Sequence, residues 1–142
     1  MTPQLSFQII NLIALFFWIL LIFFYSKRIY RIFIYSGLAF ILLGLIYLIL
    51  MISHFSFDLA AFSSLENIEN LYSNPWMILT GWVHYLAFDL LAGVWIRNDS
   101  LLNGINQKMI LIPLVFTFLT GPLGLLIYLT IKYLNVKNLQ VS

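Results

Sequence analysis

Two ionisable side chains, His84 and Asp89, lie within an otherwise apolar stretch that runs over residues 77–96. A charged carboxylate at the centre of a bilayer costs about 2.5 to 3.5 kcal/mol on insertion scales, so such residues usually face the interior of a helix bundle and have a role. Burial favours the uncharged forms, which are a protonated carboxyl group and a neutral imidazole. The pair is therefore a candidate acid and base, or a pair that orients a ligand.

A purely structural interpretation of the same pair stays open. On a helix, residues 84 and 89 are about 7.5 Å apart along the axis and roughly 140° apart around it, so they do not share one narrow stripe. Hydrogen bonds to Thr117, Thr120 or backbone carbonyls of neighbouring helices would make the two groups a polar lock. Both side chains avoid lipid only if this span is largely enclosed, which favours a homo-oligomer, or if one of them extends to the membrane interface.

Metal or thiol chemistry is not expected. The chain contains no Cys, which excludes disulfides, thiolate nucleophiles and Cys-ligated metals. One His and one Asp are too few for a metal site unless His54, Asp58 or a glutamate joins them, the candidates being Glu66 and Glu69. We therefore expect neither a metal nor a cofactor.

The composition indicates an integral membrane protein. Of the 142 residues, 63% are hydrophobic and 8% are charged, whereas a soluble domain has about 25% charged residues. Seven basic residues and a net charge of +2 are too few for a surface that follows nucleic-acid phosphates. We expect membrane lipid as the surroundings, no nucleic-acid partner, and a single membrane domain over residues 1–142.

Four uncharged or nearly uncharged runs are long enough to cross a bilayer. A helix needs about 20 apolar residues to span a hydrocarbon core of about 30 Å. The runs cover residues 7–25, 33–53, 77–96 and 109–131. Transmembrane strands would be short segments of alternating hydropathy, which these runs are not. The sequence thus predicts an all-α, integral membrane four-helix bundle.

The connection between the second and third runs predicts a short amphipathic helix. Ser63 and Glu66 have the spacing of a capping box, and apolar side chains recur at helical intervals after them. The helix would lie on the membrane interface, although an ordinary capped connector explains the pattern equally well. Asn74 and Pro75 would then turn the chain back into the bilayer.

The basic residues predict the orientation in a bacterial-type inner membrane. The two loops after the first and third runs contain five Lys and Arg residues, against two in the C-terminal tail and none in the remaining segments. Loops rich in Lys and Arg remain in the cytoplasm. With four spans, both termini would lie on the non-cytoplasmic side.

The fourth run contains the sequence Thr120-Gly121-Pro122-Leu123-Gly124. Pro122 removes one helical hydrogen bond and leaves the Phe118 carbonyl without its donor, which predicts a kink near Thr117 and Thr120. Such a kink would open a polar space in which Thr117 and Thr120 would bind a ligand, whereas close helix packing at the two glycines is the alternative use of this motif.

Several motifs in the last 80 residues resemble the abscisic-acid-deficient-four-like family, whose members are small four-span membrane proteins of bacteria and plant plastids. The matching residues are Phe62 to Glu66, Leu71, Tyr72, Gly81 to Leu90, Gly93, Trp95, Asp99, Pro113 and Gly121 to Tyr128. The Trp82-x-His84-x-x-x-x-Asp89-Leu90 core and the downstream Gly-Pro-x-Gly are the most specific parts. The first two spans resemble the family in hydropathy only.

The resemblance implies a role in carotenoid metabolism. Plant members are required to convert violaxanthin into the allenic carotenoid neoxanthin, an isomerisation of an epoxide. On that analogy Asp89 is the acid, His84 is the base, and Trp82, Tyr85 and Trp95 flank the ligand. Plant members often have an Arg near the position of Val94, a role that would pass here to Arg97. The alternatives are an accessory subunit that binds a pigment or lipid, and a structural subunit.

Overall fold

The computed structural model describes residues 1–55 and 59–141, and all regular elements in these two ranges are helical. This confirms the predicted all-α class. A π-helical turn at Arg31–Tyr35 joins α2 to α3, and a 3-10 turn at Leu59–Phe62 precedes α4. The helices are α1 (Pro3–Phe23), α2 (Arg28–Tyr30), α3 (Leu38–His54), α4 (Leu65–Leu71), α5 (Pro75–Leu102), α6 (Leu111–Thr120) and α7 (Pro122–Val141).

Three of the helical segments are long and apolar enough to cross a membrane: Pro3–Phe23, Arg28–His54 and Pro75–Leu102. They correspond to the first three predicted spans. The third is longer than predicted, because Asn74 caps its start by accepting a hydrogen bond from the Trp76 amide at 3.0 Å and Pro75 occupies its first position. Its 28 residues extend over about 42 Å.

The fourth predicted span, residues 109–131, is not one helix. Gly121 ends α6 with φ 56° and ψ −89°, and Pro122 begins α7. A Cβ atom placed on Gly124 would lie 2.5 Å from the Pro113 carbonyl oxygen, whereas residues eleven apart on one continuous helix are separated by about 16 Å. The predicted kink is therefore a reversal, and α6 and α7 form a hairpin.

The hairpin begins and ends near the same end of α5. Near the last turn of α5, Asp99 forms an ion pair with Lys132 of α7 at 2.8 Å and also accepts a hydrogen bond from the Tyr128 hydroxyl. The tip at Gly121 lies against Asp89, midway along α5. The ten residues of α6 extend over about 15 Å, which is half of a hydrocarbon core of about 30 Å.

The three long segments pack with α5 in the middle. Contacts of α1 and α5 show that the two helices are parallel: Asn11 pairs with Trp82 near their starts, and the Leu21 carbonyl pairs with Arg97 near their ends. Contacts of α3 and α5 show an antiparallel pair, since Tyr47 meets His84 and His54 stacks on Trp76. This places the N-terminus and the α3–α5 connection at one end of the bundle.

The segment before α5 contains the short helix that the sequence predicts, with a different cap. Ser64, in the extended backbone conformation that an N-cap requires, accepts a hydrogen bond from the Asn67 amide at 3.2 Å. The Ser63 hydroxyl instead donates to the Ala60 carbonyl at 2.8 Å, so Ser63 is not the cap. None of the residues of α4 is buried, which fits an amphipathic helix at an interface.

Candidate functional site

The Asp89 carboxyl group lies at the tip of the hairpin. It is 7% exposed, and a Cβ atom on Gly121 would overlap its Oδ1 atom. Its Oδ2 atom has no hydrogen-bond partner among the described residues. The Tyr85 hydroxyl, one turn earlier on α5, is close enough to interact with this carboxyl group and donates to the Leu119 carbonyl at 3.1 Å. Asp89 is thus a buried acid with free bonding capacity.

The ends of two helices converge on this carboxyl group. At the tip, α6 presents its last carbonyls and α7 presents its first amides, which carry partial negative and positive charge respectively. The Pro122 nitrogen has no hydrogen to offer to the Phe118 carbonyl. Broken helices that place such groups at mid-depth recur in the substrate and ion sites of membrane transporters. A polar ligand atom beside Asp89 would therefore find both donors and acceptors.

A cleft that reaches Tyr85, one helical turn before Asp89, provides space for such a ligand. We call it the Trp82 cleft; its volume is about 340 Å³, and it lies between α1, α5 and the end of α6. Its polar groups come from Asn11 and Tyr85, and the rest of the lining is apolar. The lining residues are Asn11, Ala14, Leu15, Trp82, Tyr85, Leu86, Phe118 and Leu119.

Aromatic rings form one wall of the Trp82 cleft. The rings of Trp82 and Tyr85 stack with centroids 5.3 Å apart, and Phe7 packs against Trp82 at 5.8 Å. The Trp82 indole nitrogen donates to the Asn11 side-chain oxygen at 2.8 Å, which fixes the orientation of the ring. This wall offers a flat apolar surface to a ring or a conjugated chain.

The Trp82 cleft opens on the apolar outer surface of the helices. It shares Asn11 and Leu15 with a shallow groove along α1, which Phe7, Gln8 and Leu12 also line. Leu15 and Leu119 are exposed at its mouth. The opening leaves room for a long apolar molecule to extend out of the cleft along α1.

Asn11 is a site residue that sequence reasoning missed. The first apolar run is distinguished by its lack of charge, yet two carboxamides, Gln8 and Asn11, lie within it. A polar side chain at this depth in a span needs a hydrogen-bond partner, which Trp82 supplies here. The two carboxamides in this apolar run were the signal available in the sequence.

The structure places His84 away from Asp89. The His84 imidazole is exposed on the other side of α5, where it packs against Tyr47 with centroids 5.8 Å apart and stacks on Phe88 at 4.6 Å. It lines a different cavity, between α3, α5 and the segment before α5. Because His84 and Asp89 lie on different sides of α5, the two candidate catalytic groups are not brought together.

Arg97, expected as a ligand-binding residue, has protein partners instead. Its guanidinium is 1% exposed, donates to the Leu21 and Ile22 carbonyls at 3.3 and 3.2 Å, and donates to Gln107 at 2.9 Å. It also lies 4.2 Å from the centroid of the Tyr25 ring. Arg97 therefore satisfies the last carbonyls of α1 and joins α1 to α5.

The remaining candidate ligand residues lie outside the Trp82 cleft. Thr117 and Thr120 each donate to the carbonyl four residues earlier, at 2.8 and 2.9 Å. Trp95 packs edge-on against Tyr128 with centroids 5.6 Å apart, towards the Asp99 end of α5. Of the six residues expected to bind a ligand, Trp82 and Tyr85 line the cleft.

No cluster of three or more His, Asp or Glu residues suited to a metal ion occurs within residues 1–55 and 59–141. His54, which the sequence offered as a ligand, stacks on the Trp76 ring at 4.5 Å. Asp58, offered with it, lies outside the described residues.

Comparison with known proteins decides the family. The model of the ABA DEFICIENT 4-like family matches residues 5–128. The chain belongs to the ABA DEFICIENT 4-like family. The match confirms the resemblance seen in the sequence and includes α1 to α6 and the start of α7, so Asn11, Asp89 and Gly121 all fall within it. No curated protein and no solved structure matches this ABA DEFICIENT 4-like chain.

Proposed function

We propose that this ABA DEFICIENT 4-like protein binds the oxygenated end group of a carotenoid, or of a similar conjugated apolar molecule, in the Trp82 cleft. The observation that supports this most is the buried, incompletely bonded Asp89 carboxyl group, which lies one helical turn from Tyr85 in the aromatic wall of the cleft. An apolar cleft with few convergent polar groups is typical of a small-molecule site.

Each part of such a ligand has a counterpart in the cleft. The ring or the first double bonds would lie along Trp82 and Tyr85, whose stacked faces are apolar and flat. The oxygen atom would point to the Tyr85 hydroxyl and, behind it, to Asp89. The polyene would leave through the groove along α1 that Phe7 and Leu12 line.

Isomerisation of an epoxide at the same place is the second candidate function, favoured by the free Oδ2 atom of Asp89. Protonated Asp89 would donate its proton, directly or through Tyr85, to the epoxide oxygen while the carbon–oxygen bond breaks. The resulting carboxylate would remove a proton from the neighbouring polyene carbon, forming an allene and a tertiary alcohol. The acid is restored and no redox change occurs. His84 lines another cavity, so the base role would fall to the Asp89 carboxylate.

The orientation in the membrane is also a proposal. Lys27, Arg28 and Arg31 precede α3, and Arg97 and Lys108 flank the end of α5. Lys132 joins them, because the hairpin returns α7 to Asp99. The positive-inside rule would then place this end in the cytoplasm, with the C-terminal end of α7 there and the N-terminus on the other side. This revises the expectation that both termini are non-cytoplasmic.

Purification from a host that makes epoxy-carotenoids tests the proposal. We expect protein in mild detergent to carry a carotenoid absorption spectrum, and extraction to release the pigment. Trp82→Leu should lower the pigment-to-protein ratio severalfold, whereas Trp95→Leu, a matched change outside the cleft, should leave it unchanged. Colourless wild-type protein from a pigmented host would contradict the binding proposal. Formation of an allenic product that depends on Asp89 would support isomerisation. Bound epoxide without that product would support binding only.

A further inference from the structure

We propose that a second site, which we call the His84 cavity, binds a neutral lipid that carries a hydroxyl group. The cavity has a volume of about 270 Å³ and lies between α3, α5 and the segment that leads into α5. Its residues are Tyr47, Met51, Phe62, Leu71, Tyr72, Met77, Thr80, Gly81 and His84. None of them lines the Trp82 cleft, so the inference does not depend on the proposed function.

Unused polar groups surround the His84 cavity. Within residues 1–55 and 59–141, the side chains of Tyr47, Tyr72 and His84 form no hydrogen bond, unlike Thr80, whose hydroxyl donates to the Trp76 carbonyl at 2.8 Å. Unsatisfied polar groups are costly in hydrocarbon. A neutral imidazole and two phenols offer both donors and acceptors. A ligand hydroxyl can meet several of them at once, because it also donates and accepts.

The lining of the His84 cavity selects an uncharged ligand. Among the described residues that line it there is no Lys, Arg, Asp or Glu, so neither a phosphate nor an ammonium group would find a counter-charge on them. His84 follows Pro75, the start of α5, by nine residues, which is about 13.5 Å along the helix. Burying an ion at that depth without a partner is unfavourable, whereas a hydroxyl group needs only hydrogen bonds.

The surroundings also fit the apolar part of a lipid. Phe88 stacks on His84 and is 58% exposed, so it continues the apolar wall towards the middle of α5. A lipid with its hydroxyl beside His84 would lay its chain along Phe88, in contact with the surrounding bilayer.

Gly81 makes room for the Tyr72 ring at the cavity. A Cβ atom on Gly81 would lie 2.9 Å from the Tyr72 hydroxyl oxygen and from its Cε1 atom, closer than side chains tolerate. The absence of a side chain at residue 81 therefore allows the phenol to rest on α5 with its hydroxyl at the cavity. Tyr72 therefore links the segment before α5 to the His84 cavity, and a substitution of Tyr72 tests this site specifically.

Photochemical labelling of the full-length protein tests this inference. The probe is a monoacylglycerol with a diazirine near the glycerol group, irradiated with the purified protein in mild detergent and mapped by mass spectrometry. We expect adducts concentrated on residues 47–51 and 72–84. Unlabelled monoacylglycerol should compete, whereas a phosphatidylglycerol with the same chain, at the same concentration, should not. Labels spread evenly over the apolar surface, or equal competition by both lipids, would overturn the inference.

Variants that keep ring shape test the polar contacts. The double variant Tyr72→Phe with His84→Phe should weaken labelling at the cavity roughly tenfold, as expected for the loss of two hydrogen bonds. Tyr35→Phe, a matched change at a residue that is 74% exposed and outside the cavity, should have no effect. Met51→Trp should block the cavity from α3 and gives a second test if the double variant is not monodisperse. Unchanged labelling in a folded variant contradicts the inference, whether or not the protein carries a pigment.

Discussion

The Asp89 carboxyl group lies against Gly121, the residue at which the C-terminal apolar segment turns back on itself. This contact joins a buried acid at the middle of α5 to the tip of a two-helix hairpin. It also accounts for the small residue at the tip, because a side chain there would occupy the space of the carboxyl group. The same contact thus determines both where the candidate site lies and where the chain reverses direction.

Gly121→Ala should destabilise the protein more than the equivalent change at a second glycine. Alanine at residue 121 would adopt an unfavourable positive φ, at a cost of about 1–2 kcal/mol, and would also collide with Asp89. Gly104→Ala is the matched control, since Gly104 has φ 64° with open space around it. Thermal unfolding in detergent should show the lower melting temperature for Gly121→Ala. Equal melting temperatures for the two variants would mean that Gly121 is not in close contact with Asp89.

Gly93 makes the corresponding close approach between α1 and α5. A Cβ atom there would lie 2.6 Å from the Trp18 ring, so Gly93→Ala should cost about 1–3 kcal/mol through overpacking. Gly44→Ala, in α3 and with open space around it, should be neutral or stabilising by about 0.5–1 kcal/mol. The same unfolding assay checks both variants. A Gly93→Ala protein as stable as Gly44→Ala would show that the two helices are further apart than described.

Arg97→Lys should weaken the connection of α1 to α5 without affecting ligand content. The ammonium group cannot reproduce the forked contacts of the guanidinium with the Leu21 and Ile22 carbonyls and Gln107. We expect a loss of about 1–3 kcal/mol in stability and an unchanged pigment-to-protein ratio in the folded fraction. Loss of pigment from protein that stays folded would instead show that Arg97 contributes to the ligand site.

Much of the architecture was readable from the sequence. The three long apolar runs are helices, and the family resemblance was carried by motifs from Trp82 to Leu90 and around Pro122. The five-residue spacing of His84 and Asp89 already indicated different faces of one helix. These features depend on local periodicity, which a single sequence contains.

The reversal at Gly121 depends on contacts that local periodicity does not contain. A Gly-Pro pair breaks a helix in either case, and whether the chain kinks or turns back is decided by distant partners, namely Asp99 with Lys132 and Tyr128. Likewise, whether Ser63 or Ser64 caps the start of α4 depends on the local backbone conformation, and in the structure Ser64 has the extended conformation that an N-cap requires. Asn11 gained its role only when α1 was placed beside Trp82.

Asn11→Leu should disturb the aromatic wall of the Trp82 cleft. The change removes the acceptor of the Trp82 indole N–H, so the ring loses its fixed orientation and one polar group leaves the cleft. We expect a severalfold lower pigment-to-protein ratio and an altered absorption band in what remains. Gln107→Leu, which removes a carboxamide at the other end of the bundle, should leave the spectrum of the bound pigment unchanged. Identical spectra and ratios for Asn11→Leu and wild type would place the ligand elsewhere.

In the proposed orientation the two ends of the chain lie on opposite sides of the membrane, and the absence of cysteine from the sequence makes this directly measurable. Single cysteines at Gln4, Asn106 and Ser142 can be labelled with a membrane-impermeant maleimide in intact spheroplasts and in inverted vesicles. The account predicts that Asn106→Cys and Ser142→Cys react only from the cytoplasmic side and Gln4→Cys only from the other side. Labelling of Ser142→Cys from the same side as Gln4→Cys would contradict it, because the C-terminal segment would then cross the membrane as a fourth span.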